Sequence, residues 1–465
     1  MIREAPFAWR SLGLLCDLCR NFTQTPSPVN HLLVIGAGRS ATVLIDYLGS
    51  QAPQHGWTLT VADASLLLAQ EKTRPYPAAR AMALDVQDEP QRQAAVRAAD
   101  VVVSLLPPPL HPLLATDCLT HGKHLLTASY VSPQMRALDA AAKAKGLLFL
   151  NEMGLDPGID HLSAMRSIHQ IRNGGGRITA FKSFCGGLMA PGSDANPWGY
   201  KFTWNPRNVV LAGQGTATFL EAGQLREVAY ADLFGRTEPV QIAGYGTFEA
   251  YPNRDSLEYR GVYGLPDVRT MLRGTLRRPG YCAAWNVLVQ LGLTDDATVV
   301  EMGEHETLGE FTARFLPGKG SLVEKLAART GLRKEDPALE KVAWLGLEKD
   351  TPVGLTRATP AQVLQRVLEP KWQLQPEDRD LIVMQHQFTY ERGGQTHFLT
   401  SSLAVEGESA RTAMAKTVGL PLGIATKLLL QGHLPQRGVV IPVYPEIYEP
   451  VLAELAEHGI AFVDC

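Results

Sequence analysis

From residue 31 onward the chain is built from short runs of consecutive apolar residues separated by stretches with helical spacing. HLLVIGAGRSATVLIDYL opens with an apolar strand, passes through a glycine turn and continues as a helix with one apolar face. WTLTVADAS, ADVVVSLLPPP, KHLLTASY and GLLFLNEMG supply further apolar strands, with Ala-rich helical segments between several of them. Continuous apolar runs indicate strands buried on both faces of a parallel sheet. Residues 31–155 are therefore expected to form a Rossmann-type doubly wound α/β domain.

After about Gly154 the pattern changes to Gly- and Pro-rich loops with shorter strands, such as ITAFKSFCGG and VQIAGYGTFEAYP. This predicts a second α/β domain with a mixed sheet over residues 156–292. Residues 293–372 are mostly amphipathic and helical, as in GSLVEKLAARTGL and TPAQVLQRVLE. DLIVMQHQFTYE and THFLTSSLAVEG then alternate as paired strands, so residues 373–409 rejoin the second sheet and the helical block is an insertion. Helices in residues 410–465 return to the first domain. The first 30 residues carry a short apolar patch with no small-residue cleavage site and are expected to be a poorly ordered extension.

Composition narrows the class of partner. A chain of 465 residues with 45% hydrophobic and 20% charged positions packs into about two to three domains. The net charge of −3, with acids and bases mixed, argues against a nucleic-acid surface and for small-molecule partners. The six cysteines show no disulfide framework; Cys16 and Cys19 form a CxxC without a second pair. Reduced thiols in the cytoplasm are expected. There is no HExxH and no clustered Cys/His, so no metal is expected, and no apolar run approaches the roughly 18 residues of a membrane span.

Gly36-Ala37-Gly38-Arg39-Ser40-Ala41 matches G-x-G-x-x-G/A with Ala41 in the last place. Gly36 permits the tight turn, Gly38 the close approach of a pyrophosphate, and Ala41 the packing of helix on strand. The helix start supplies N–H groups for the phosphates. Asp63 follows at the end of the second strand, where a carboxylate accepts from ribose hydroxyls and repels an additional phosphate, so NAD(P) is expected with NAD favoured. The alternative for Asp63 is a turn-former. Ser104 and Leu105 end the fourth strand at the ligand-binding edge and are candidates for the nicotinamide side; the alternative is an ordinary strand end before Pro107.

GAGRSA, SLLP followed by LHP, TASYVSP, GLDPGIDH, CGGLMAP, NPWGYKFTW, YPNRDS, LRGTLR and MAKTVGLP occur in that order. Together they make the chain, from about residue 31 to its end, resemble the glutamate-forming saccharopine dehydrogenases, also called saccharopine reductases. Two positions depart: Pro108 stands where the family commonly has Tyr, and Met189 stands for the first proline of CGGLPAP. The resemblance implies NAD(P)-dependent oxidation of the secondary amine saccharopine to glutamate and 2-aminoadipate 6-semialdehyde, and a homodimer. It also implies that a tricarboxylate must be bound, by Lys201, Arg207, Asn253, Arg254 and Arg273. In that case NPWGYKFTWNPRNV is a lid presenting cations; the alternative is a surface turn. The chemistry needs an acid/base, for which Asp156 is preferred, then Tyr130, then His161, with Asp160 and Cys185 as further candidates. Two other readings stand beside this one: a dehydrogenase of a carboxylated polyamine, and a non-catalytic nucleotide-binding regulator.

Overall fold

The computed structural model describes residues 30–193, 195–408 and 410–465. The expected N-terminal extension, with Cys16 and Cys19, lies outside the described residues apart from Asn30. Strands β1 (His31–Ile35), β2 (Thr58–Asp63), β3 (Ala79–Ala83), β4 (Val101–Ser104), β5 (His124–Thr127) and β6 (Leu148–Leu150) form one sheet in the order β6-β5-β4-β1-β2-β3. Every pairing in it is parallel. β1 and β4 are buried almost throughout, which is why their sequences are apolar without alternation.

The second sheet begins with β7 (Arg177–Met189) and continues with β8 (Thr216–Glu221), β9 (Gln224–Ala229), β10 (Glu238–Ile242), β11 (Gly246–Pro252) and β12 (Thr270–Arg277). β12 runs parallel to β7 and antiparallel to β11, so this sheet is mixed. The helix Tyr281–Gln290 follows, then a block of four helices, Leu308–Phe315, Leu322–Thr330, Pro337–Ala343 and Pro360–Lys371, with the small ribbon β13 (Val300–Glu301) and β14 (Arg357–Ala358) beside them. Thr307, Ser321 and Thr359 each start a helix with a reciprocal capping box, satisfying amides that a helix start leaves unpaired. β15 (Asp380–Arg392) then pairs with β7, and β16 (Gln395–Glu406) pairs with β15, so the chain returns to the second sheet after the helical block.

The C-terminal region rejoins the first unit. β17 (Gly438–Val440) adds to the parallel sheet beside β6, while β18 (Val463–Asp464) pairs with β16. The helix Ala413–Leu430 carries an 18-residue window of mean hydropathy 1.3, long and apolar enough to span a membrane, contrary to the sequence expectation that no run approaches that length. It packs instead against the helix Thr42–His55, with 78% of that window buried in the protein. A single apolar cluster, including Val34, Leu44, Ile168, Phe181, Met384 and Ile424, runs from the first sheet through these helices to the second. The cleft between the two units is thereby held by shared core rather than by a flexible linker.

Candidate active site

The glycine turn sits where β1 ends. Gly36 has φ +105, and a side chain there would meet the Leu105 carbonyl oxygen at 3.2 Å, so conformation and space both demand glycine. Gly38 differs: among the described residues a Cβ on it would meet nothing within 4 Å, which leaves open space over the turn. No side chain caps the helix start at Gly38, so its first N–H groups are free of protein side-chain acceptors. Arg39 is exposed and Ser40 partly so, while Ala41 is buried against the helix Ala413–Leu430 region. Open space above an uncapped helix start fits a dinucleotide pyrophosphate. Asp63 braces this turn: its Oδ2 accepts from the Ala37 N–H at 2.8 Å and its Oδ1 from the Ser65 N–H at 2.9 Å.

Leu105 borders the turn, but Ser104 does not face a ligand. Its hydroxyl is fully buried and lies 3.0 Å from His111 Nδ1, whose Nε2 is 2.8 Å from the Ser129 hydroxyl. Burial pushes the His111 pKa down to about 4, so a neutral imidazole ties β4 to the loop after β5.

Next to this edge a cavity of about 480 Å³ opens between the two units. The first unit contributes Ser129 and Tyr130; the second contributes Asp156, Cys185, Asn253, Arg254 and Arg277. Trp204, Asn208, Met414 and Val418 complete the wall. Asp156 belongs to GLDPG, whose turn requires glycine at 158, since a Cβ there would meet the Gly154 carbonyl oxygen at 2.0 Å.

Charge in the cavity is arranged unevenly. Arg273 Nη2 donates to Asp156 Oδ1 at 2.6 Å and to Asp160 Oδ2 at 2.9 Å, so this guanidinium is committed to two carboxylates. Tyr130 donates to Asp156 Oδ1 at 3.2 Å. Burial raises the Asp156 pKa against the opposing pull of Arg273 and brings it toward the range of an acid/base. Burial, with Asp156 and Asp160 nearby, holds the Tyr130 hydroxyl protonated, and burial likewise keeps Cys185 a neutral thiol rather than a nucleophile.

Two cations remain uncommitted. Arg277 is 5% exposed and lies among the rings of Tyr200, Tyr251 and Tyr281, at 5.2–5.8 Å from their centroids. Its Nη1 donates to the Leu276 carbonyl, and its Nε has no hydrogen-bond partner among the described residues. Arg254, at φ 49, lies over the Tyr130 ring at 5.1 Å. Among the described residues neither guanidinium pairs with a carboxylate, and both line the cavity. Nor, among those residues, does any group of three or more His, Cys, Asp or Glu side chains hold metal-binding geometry.

The other expected residues lie elsewhere. Lys201 is buried, with Nζ 2.7 and 2.6 Å from the two Asp378 oxygens, and Arg207 pairs with Asp296; neither lines the cavity. The loop is not a simple lid, because Trp198, Tyr200 and Phe202 are buried around Trp372, leaving Trp204 and Asn208 to reach the cavity. His161 is fully buried behind the wall, 2.8 Å from Glu152 Oε2, which rules out direct contact with a ligand. Asp160 accepts from the Gly158 N–H at 2.6 Å, a turn brace as well as an Arg273 partner. Sequence reasoning missed Glu152 and read the Arg277-Arg278 pair only as solvated or ligand-facing, without a role, although strand alternation puts Arg273, Thr275 and Arg277 on one side of β12.

Comparison with known proteins places the chain in context. Residues 32–150 match the model of the saccharopine dehydrogenase NADP binding domain, and residues 154–460 that of the saccharopine dehydrogenase C-terminal domain. The saccharopine dehydrogenase [NADP(+), L-glutamate-forming] of Schizosaccharomyces pombe is 36% identical over 442 residues, covering 92% of this chain and 97% of the relative. The mitochondrial alpha-aminoadipic semialdehyde synthase of Rattus norvegicus is 33% identical over 445 residues, which are 94% of this chain but 48% of that protein. The structure is similar to that of apo saccharopine dehydrogenase (L-Glu forming) from Saccharomyces cerevisiae, with a TM-score of 0.84 and 33% identity over 94% of this chain and 99% of that one.

Proposed function

The chain belongs to the saccharopine dehydrogenase family, and from that premise we propose that it oxidises the secondary amine of saccharopine, in lysine metabolism, to glutamate and 2-aminoadipate 6-semialdehyde. The observation that carries this reading is the pair of uncommitted guanidinium groups, Arg254 and Arg277, beside Asp156 in one cavity. Two cations facing open space suit a polycarboxylate, and a polyamine would call for acids in their place. The Gly36–Ala41 turn would hold the nicotinamide dinucleotide, which would supply the hydride acceptor for oxidation at the carbon next to nitrogen.

The chain's own groups then have separable tasks. Arg277 and Arg254 bind substrate carboxylates, and Asn253 lines the same cavity, its backbone N–H donating to the Arg273 carbonyl oxygen at 2.8 Å. Asp156 accepts the amine proton and passes protons between the water that adds to the imine and the nitrogen that departs. Tyr130 donates to Asp156 and fixes its orientation. Arg273 keeps Asp156 and Asp160 from repelling one another.

Selectivity tests this reading. With one cofactor at saturation, kcat/KM is measured for saccharopine and for amines carrying one carboxylate, including a carboxylated polyamine. Saccharopine is expected to lead by at least about 100-fold, since each charge-assisted contact that is lost costs about 1.5–3 kcal/mol. Faster turnover of the polyamine would transfer the site to that substrate class, and turnover of neither would leave a nucleotide-binding regulator.

For the cofactor we propose NAD over NADP, although the fungal relatives are named for NADP(+). Two of the roughly four acceptor positions of Asp63 are used by the turn, leaving the others for ribose hydroxyls. Among the described residues no cation pairs with Asp63 to offset its repulsion of a phosphate. Asp63→Ala is expected to narrow the NAD/NADP ratio of kcat/KM; an unchanged ratio would leave Asp63 as a turn brace alone. A homodimer joined through the second unit is likewise proposed from the family relationship, and sedimentation as a monomer at micromolar concentration would remove it.

A further inference from the structure

Glu152 is a charged residue buried just after β6, beside the buried Asn151, 3% exposed and with φ 56. That conformation strains any residue with a Cβ and is ordinarily taken by Gly or Asn, so retaining Glu there costs about 1–3 kcal/mol that the side chain must offset. Its backbone N–H donates to the Ser129 carbonyl at 3.0 Å, and its Oε1 accepts from the Val131 N–H at 3.0 Å. Tyr130 lies between those two anchor points. Oε2 accepts from Tyr259 at 3.0 Å, and the Tyr259 ring lies 4.7 Å from the Arg273 guanidinium. The same oxygen is 2.8 Å from His161 Nε2. None of Glu152, His161 and Tyr259 lines the cavity.

We infer that Glu152 is a positioning residue for the acid/base side of the cavity, holding Tyr130 from the loop after β5 and Arg273 through Tyr259, with His161 as its charged partner. The inference rests on the proposed oxidation of saccharopine at this cavity. An alternating row of charges supports it: Glu152, His161, Asp160, Arg273 and Asp156 follow one another from core to cavity wall, with His161 Nδ1 3.8 Å from Asp160 Oδ2.

The groups facing His161 are Glu152, Asp160, Tyr259 and Tyr263, with Arg273 and the neutral His386 further away. Burial lowers the His161 pKa, but Asp160 and Glu152 together carry it above the ordinary histidine value. Asp156 faces Arg273, Asp160, His161 and Tyr130. The positive charge on His161 opposes the effect of burial on Asp156, so neutralising His161 raises the Asp156 pKa further.

Glu152→Gln keeps the size and an acceptor for Val131 but removes the charge that holds the imidazolium. With saccharopine, kcat is expected to fall by up to about 100-fold, the loss typical of a catalytic group displaced by about 1 Å. The cofactor dissociation constant should stay unchanged, and the acid limb of the kcat/KM profile should move to higher pH. In parallel, histidine NMR on the holoprotein is expected to show His161 protonated at pH 7 in the native chain and neutral in the variant. Glu152→Gly, which relieves the backbone, should fold and show the same pH shift. An acid limb that stays in place in both variants would overturn the inference, as would a His161 that remains protonated in Glu152→Gln. If the native chain leaves saccharopine untouched, the proposed reaction fails, and the NMR titration still decides the Glu152–His161 pairing.

Discussion

Replacing Arg273 by methionine is expected to destabilise the fold by about 3–5 kcal/mol, because it leaves two buried carboxylates without their shared cation. Arg273 has a side chain 11% exposed, against 2% for Asp160 and 21% for Asp156, so solvent does little to screen what is left behind. The two carboxylates would then repel each other in a site of low polarity, and one would be driven to take up a proton. Denaturant unfolding of the Arg273→Met chain beside the native chain provides the check. Arg273→Met/Asp160→Asn should recover part of the lost stability, because one of the two uncompensated charges is gone. Equal stability of Arg273→Met and the native chain would mean that these ion pairs are not maintained in solution.

Arg277→Ala is expected to lower kcat/KM for saccharopine by about 30- to 1,000-fold, or 2–4 kcal/mol of transition-state binding, as one charge-assisted carboxylate contact is lost from a desolvated wall. Arg277→Lys should restore only part of this, since lysine keeps the charge but not the planar fork that stacks among Tyr200, Tyr251 and Tyr281. Cofactor affinity should be unaffected, because the glycine turn lies on the other unit. Arg207→Ala provides the contrast: with its guanidinium already paired to Asp296, it should reduce kcat/KM far less. The same loss from both substitutions would return the carboxylate site to the aromatic loop. No loss from Arg277→Ala would leave Arg254 as the binding cation.

These two arginines show how far the sequence reaches. Strands such as HLLVI announce a parallel sheet because burial on both faces leaves no room for alternation, and Ser321 three residues before Glu324 announces a helix start through local hydrogen bonds alone. The Gly36–Ala41 turn is legible for the same reason. The fates of Lys201 and Arg207 are not local: Asp378 lies 177 residues from the one and Asp296 lies 89 from the other, and no pattern near either cation reveals its partner. The burial of Trp198, Tyr200 and Phe202 depends in the same way on Trp372. Arg277 was within reach, since two-residue alternation along LRGTLR sets it beside Thr275 and Arg273. Glu152 needed the fold, because its carboxylate is met by His161 from the helix Ile159–Asn173 and by Tyr259, 107 residues away on the short helix Glu258–Val262.

The central claim is that this cavity couples amine oxidation to a dinucleotide, and the most direct measurement is the absorbance of reduced nicotinamide when saccharopine is added to the protein with NAD or NADP, with glutamate assayed in the same mixture. The account predicts a rise in that band with one glutamate formed for each cofactor reduced, abolished or strongly slowed in Asp156→Asn and Arg277→Ala. A flat trace with both cofactors, or cofactor reduction without glutamate, would contradict it.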